Sequence, residues 1–313
     1  MTSEPIAPAC DLQARIAALW IYPVKSCAGV SCDAVRLTDK GLAHDRAWMV
    51  VDAEGEMLTQ RELPRMALIQ PQLEGLSPAL PTFPTLHLHA PGMPALTVLP
   101  QTGGVTRTVR VWNDAVPAWD EGEAASAWLT RCLIDEAHAD LPTPLRLVRF
   151  DERHARASSA QWTQGHASLN RFSDGFPILV VSQASLAELN SRLLAQGEAA
   201  VDLRRFRPNL VLASDGADDW LAHDEDRVTQ LRIATAQGDA VLLPVKPCPR
   251  CPIPDIDPDH ATVHPSVSRT LQTYRQDARV NGAITFGMNA LALQGIGHTL
   301  ALGQTVRADW AFD

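Results

Sequence analysis

The chain has 313 residues, 46% of them hydrophobic and 20% charged, with a formal net charge of -9. That length covers two domains or one large one. The acidic balance speaks against general nucleic-acid or membrane-surface binding, and no run approaches the ~18 apolar residues of a membrane helix. The opening, "MTSEPIAPACDLQAR", lacks a basic-then-apolar leader, which sets the expected location as the cytoplasm. There the six irregularly spaced cysteines read as free thiols rather than a disulfide framework.

From Ile16 to about Val111, short apolar runs are divided by Gly, Pro and Asp. Arg46 to Gln60 reads as a hairpin turning at Ala53-Glu54-Gly55, and "LHLHA" alternates as a half-buried strand does. This density of strands predicts a small barrel or sandwich. The first strong helix follows "WDEGEAASAWLTRCL", with Asp120 as the expected N-cap and Glu123 three residues on. Pro142 and Pro144 then mark the expected domain boundary.

Past that point "FPILVVS", Phe176 to Ser182, is apolar throughout and suits a strand covered on both faces. It leads into a helix with Leu186, Leu189 and Leu193 on one face, the spacing of Ser185 and Glu188 as a capping box, and Gly197 as its stop. Further strands are expected at "PNLVLA", "QLRIATA", "AVLLPV" and "TLALGQTVRA". The fold class is strand-rich α+β.

The segment "VKPCPRCPIPDIDPDH", Val245 to His260, holds the chemistry that needs explaining. Its prolines predict a rigid extended loop with neither helix nor central strand. Cys248, Cys251, His260 and His264 superficially match a zinc site. However, the spacer is shorter than the ~12 residues usual there, and prolines forbid the presenting helix. A redox C-x-x-C would open a helix, which Pro252 and Pro254 oppose. Taken alone, two partly buried thiols in a tight loop is the favoured reading.

Other segments change that balance. "RRFRPNLVL" puts Arg204, Arg205 and Arg207 ahead of Asn209 at the mouth of an apolar strand, where guanidinium groups can clamp a phosphate. "YPVKSC" places Lys25 and Ser26 at a strand end, and Arg46 opens another strand. Only three of the 27 basic residues are lysines, and Lys25 and Lys246 both lie beside cysteine-containing segments. Each taken singly is a solvated charge. Together they suggest an anionic ligand near a thiolate, whose pKa Lys246 and Arg250 would lower. The residues themselves go as far as a soft metal or reactive thiolate beside an anion site.

"LWIYPVKSCAGV", "GLAHDRAWMVVD", "FPILVVSQASLAELNSRL", "RFRPNLVL" and "CPRC...DIDPD", in this order, resemble the MOSC family with its N-terminal β-barrel domain. The branch most resembled is that of the mitochondrial amidoxime-reducing component and its bacterial counterparts. The resemblance implies a β-barrel domain over residues 13–140, then a MOSC domain, a β-barrel with flanking helices, over 141–313. It implies a molybdenum cofactor in the cleft between them, its metal held by Cys251, with Cys248 as a neighbour. Cofactor contacts would fall on Lys25, Ser26, Arg46, Asp174, Arg207, Asn209 and Arg250.

The implied activity is reduction of N-hydroxylated compounds by oxygen transfer to molybdenum. Electrons would come from a separate flavin, ferredoxin or cytochrome-type protein, since no further cysteine cluster is present. A carrier of molybdenum cofactor, or of sulfur on Cys251, is the other role the family implies. Asp255, Asp257 and His260 are candidates for the general acid. Two departures stand out: "PIPDIDPDHA" lacks the two threonines and the Thr-Gly of that branch, and Gly175 replaces a threonine. Substrate preference is therefore not carried over.

Overall fold

The computed structural model describes residues 10–75, 83–100, 103–214, 216 and 220–311. Most of the N-terminal stretch read for a leader lies outside them. The elements that position the site, in chain order, begin with strands β1 (Leu12–Ile21), β2 (Trp48–Val51), β3 (Thr106–Val111) and β4 (Asp114–Asp120). Helix α1 (Glu123–Leu133), β5 (Arg146–Phe150), β6 (Ile178–Ser182) and α2 (Gln183–Ala195) follow. The chain continues through β7 (Leu210–Ser214), β8 (Val228–Thr235), β9 (Gly238–Pro249), α3 (Ser266–Gln272), β10 (Ala283–Gln294) and β11 (Thr305–Trp310). Among the described residues no helix is long and apolar enough to cross a membrane.

Seven strands close a barrel in the order β6-β7-β1-β11-β8-β9-β10, and β10 pairs back onto β6. Closure leaves no whole strand of this sheet at an edge. The interior holds Ile16, Leu19, Ile178, Val180, Leu212, Leu231, Leu242 and Val306. The N-terminal half forms a four-stranded sheet, β2-β5-β4-β3, beside a three-stranded sheet of Gln70–Glu74, Thr85–His89 and Leu96–Val98. Hydrogen bonding crosses the expected domain boundary near residue 140 twice. β1 sits in the barrel between β7 and β11, and β5 sits in the N-terminal sheet between β2 and β4.

The apolar run at β6 is explained by strand alternation. Ile178 and Val180 face the barrel interior, while Leu179 and Val181 pack with Leu189 and Leu193 of α2 and Val267 and Leu271 of α3. Val51 bridges to Met57 around a turn at Gly55, so the hairpin forms with a very short return strand.

Three local expectations need correction. Asp120 does not cap α1, whose N-cap is Gly122. Its carboxylate instead accepts two bonds from the buried Arg146 guanidinium and a third from Arg107, charged partners stronger than a backbone N–H alone. The cap of α2 is Ser182, accepting from the Ser185 N–H, while the Ser185 hydroxyl turns to the buried Glu225.

The third correction concerns the proline-rich segment, which enters a strand. β9 runs through Pro244, Pro247 and Pro249 while pairing with β10. Pairing with β8 stops at Leu242, so the prolines fall where one side of the strand carries no ladder. The register also shifts between Pro244 and Lys246 and between Pro247 and Pro249. A residue without an N–H costs little at such positions.

Candidate functional site

The eight residues Lys25, Ser26, Arg46, Asp174, Arg207, Asn209, Arg250 and Cys251 line one cavity of about 260 Å³. Their segments reach it separately. The loop after β1 is zipped to the start of β2, with the Lys25 N–H bonded to Trp48 O and the Arg46 N–H to Tyr22 O. Lys246 and Cys248, two apart on β9, also line it. Ser26, Arg46 and Arg207 have φ of 66°, 48° and 58°. Non-glycine residues in the left-handed region are uncommon and cluster at functional sites.

Lys25 is buried. Its Nζ donates to Phe172 O at 2.9 Å and pairs with the Asp174 carboxylate. Burial pulls the Lys25 pKa down against the attraction of Asp174. Partial desolvation pushes the Asp174 carboxyl up, but the Lys25 ammonium, the Trp112 N–H and Arg61 hold it below the usual carboxylate range. Its side chain remains two-thirds open (68%), so solvent weakens both influences.

Arg46 and Arg207 lie 4.5 Å and 4.2 Å over the ring of Tyr22, a close approach of like charges that the aromatic quadrupole offsets. Arg46 is held by Asp45, by Asn209 Oδ1 at 3.0 Å and by Arg207 O at 3.1 Å. Arg207 Nη1 donates to Cys27 O, whereas its Nη2 is buried without a partner among the described residues. Burial, then the neighbouring Arg46, lowers the Arg207 pKa to about 10. Asn209 ties three strands together: Oδ1 accepts from Leu179 N–H, and Nδ2 donates to Trp20 O.

Arg250 Nη1 points at Cys248 Sγ, 3.1 Å away, and Nη2 at Phe206 O, leaving Nε buried without a partner among the described residues. The guanidinium thus supports Cys248, while Cys251 stands on the cavity wall, half-buried and outside any disulfide. Lys246 Nζ sits 5.2 Å from the Trp162 ring centroid.

Other candidates lie elsewhere. Arg204 pairs with Asp202 and Asp259, and Arg205 with Asp257. They pin the 252–264 loop rather than entering this cavity, so the arginine cluster contributes one guanidinium, not three. Asp255 accepts from the Ser268 N–H, and Asp257 from His260; neither aspartate, nor His260, lines the cavity. Among the described residues no three His, Cys, Asp or Glu side chains group as a metal site.

Sequence reasoning passed over Arg61, Tyr22 and Trp112. Arg61 lines the cavity and lies 4.5 Å over the Trp112 ring, whose N–H donates to Asp174 at 3.1 Å. Nothing in "LTQREL" signals this; Tyr22 at least lay within a segment already singled out. With Arg61 included, the wall carries, among the described residues, six cationic side chains, Lys25, Arg46, Arg61, Arg207, Lys246 and Arg250, against the single carboxylate of Asp174.

Known proteins share this arrangement of sequence. The MOSC N-terminal beta barrel domain matches residues 13–136, and the MOSC domain matches 168–307. Mitochondrial amidoxime-reducing component 1 of Homo sapiens is 35% identical over 272 residues, spanning 83% of this chain and 72% of the relative. The chain belongs to the MOSC family. Mitochondrial amidoxime reducing component 2 of Bos taurus is 33% identical over 270 residues, with the same coverage of both chains. The molybdenum cofactor sulfurase of Oryza sativa subsp. japonica is 30% identical over 282 residues, covering 86% of this chain and 31% of that one.

Proposed function

We propose that this protein is a molybdenum-cofactor-binding oxidoreductase that reduces N-hydroxylated compounds, with electrons from a separate flavin, ferredoxin or cytochrome-type protein in the cytoplasm. One observation carries the reading. Residues as far apart as Lys25 and Cys251 converge on a cavity that holds, among the described residues, six cations, one carboxylate and two half-buried cysteines, Cys248 and Cys251. An anionic cofactor suits this wall: among the described residues Arg207 Nη2 and Arg250 Nε are buried donors without acceptors, a state that is costly unless a ligand satisfies it. The relatives named for amidoxime reduction supply the substrate class.

On this reading Cys251 holds the metal. Lys25, Ser26, Arg46, Asp174, Arg207, Asn209 and Arg250 would hold the cofactor's phosphate and pterin. When bound, the cofactor supplies two-electron oxygen-transfer chemistry that no side chain can. The chain's own contribution is positioning. The Tyr22 ring and the Asn209 amide hold Arg46 and Arg207 in place before the anion arrives, so little reorganisation is needed on binding.

The likeness to a cofactor sulfurase favours a second reading, a carrier of the cofactor or of sulfur on Cys251. The test is to purify the protein from a host that makes molybdenum cofactor and supply a chemical reductant with a panel of N-hydroxylated compounds. Steady release of amine or amidine is the expected result. Bound molybdenum and pterin without turnover across the panel selects the carrier, and zinc at one per chain without molybdenum refutes both.

A further inference from the structure

Trp112 is the first of two residues that turn β3 into β4, since Val111 pairs directly with Asp114. Its φ is 56°. A two-residue hairpin with a positive φ at its first turn position favours glycine there, and a side chain in the left-handed region costs about 1–2 kcal/mol. Strain of this kind persists where the surroundings over-determine it, and it gathers at functional sites. The surroundings here are Asp174, which accepts the indole N–H at 3.1 Å, and Arg61, 4.5 Å over the ring. Both partners line the cavity. Even so, Trp112 stays 46% exposed. An indole fixed at two points and left half open is not core packing; it is an oriented aromatic surface on the rim. The cavity wall carries a ring of its own, Phe176, with the Lys246 ammonium 5.9 Å from its centroid.

The geometry points to Trp112 as a specificity-determining residue of the entrance, stacking on a planar ring carried by the N-hydroxylated substrate. Arg61 and Asp174 are positioning residues that hold the indole. The inference rests on the functional reading above and narrows it, from N-hydroxylated compounds in general to those bearing an aromatic ring. Aromatic pairs gain more than buried area alone explains, whereas an alkyl chain on the same surface does not.

The test uses the cofactor-loaded protein and its Trp112→Ala and Trp112→Phe variants, with an aryl and an alkyl amidoxime as substrates. All three residues carry a Cβ, so the backbone strain is common to the series, and equal molybdenum content controls for cofactor loading. The ratio of kcat/KM for aryl over alkyl substrate should fall about five- to tenfold in the Ala variant. The Phe variant should recover most of it. An unchanged ratio in the Ala variant would overturn the inference. If the wild type turns over neither compound, the functional reading fails separately, and calorimetric titration with benzamidine then tests the entrance alone. Weaker binding to Ala than to Phe supports the stacking role, and equal binding refutes it.

Discussion

His223 gives the protein an acid sensitivity whose size can be worked out. Both ring nitrogens are buried without a partner among the described residues, and the ring packs against Tyr274 and Phe286 at centroid distances of 5.8 Å and 5.9 Å. Burial, and then Arg275, Arg192 and Arg227, pulls its pKa down from 6.5 to about 3. As pH falls the unfolded chain therefore takes up the proton first. The stability His223 contributes is complete above its unfolded pKa and is lost as pH falls towards the folded value. Between pH 7 and 4.5 that loss is about 2.5 kcal/mol, and it changes little if the folded pKa is nearer 4. His44, lowered to about 4 by burial and then Arg171, adds a similar loss. Glu225 and Asp226, whose carboxyls burial pushes up, act in the opposite direction. A comparison of variant with wild type cancels all three. Asn tolerates the left-handed backbone at this position, φ 67°, and does not titrate. Urea unfolding at pH 7.0 and 4.5 should show His223→Asn losing about 2.5 kcal/mol less than the wild type on acidification. Equal losses would refute the reasoning. The consequence reaches the site, because Phe286 stacks at 4.0 Å on Phe206, which lines the cavity under Arg250.

Gly287→Ala should destabilise the barrel by about 3 kcal/mol in the same assay. At φ 76° an added Cβ would lie 2.6 Å from both Val180 O and Val181 Cγ2, on the strand that closes the barrel. A change below about 0.5 kcal/mol would mean that β6 and β10 are not so closely apposed. Arg207→Leu should weaken pterin retention on dialysis about tenfold or more, the worth of one charge-assisted hydrogen bond. Arg204→Leu should change it little, since Asp202 and Asp259 already hold that guanidinium. Equal losses would contradict the division of the arginine cluster.

Period and composition carried the strand-rich fold because they are local. The run at β6 shows both of its covered faces in seven letters, and Gly197 ends α2 where expected, its N–H bonded to Leu194 O. What stayed hidden depends on partners distant in sequence. Asp120 looked like a cap because Glu123 was visible three residues away, whereas Arg146 and Arg107 were not. The prolines of β9 looked like strand breakers because sequence cannot show that pairing with β8 ends at Leu242. Trp112 gave no signal, since its meaning lies in a left-handed φ and in Asp174, 62 positions on. At the site, charge and cysteine spacing suggested an anion beside a thiolate. Family resemblance, not spacing, separated Cys251 from Cys248, and the geometry adds that Arg250 attends Cys248.

That separation is the most direct point of attack. Molybdenum and pterin should be measured per chain in wild-type protein, Cys248→Ala and Cys251→Ala, all purified from a host that makes the cofactor. The account predicts comparable molybdenum in the wild type and the Cys248 variant and little in the Cys251 variant. Equal molybdenum in all three, or loss confined to the Cys248 variant, would contradict it.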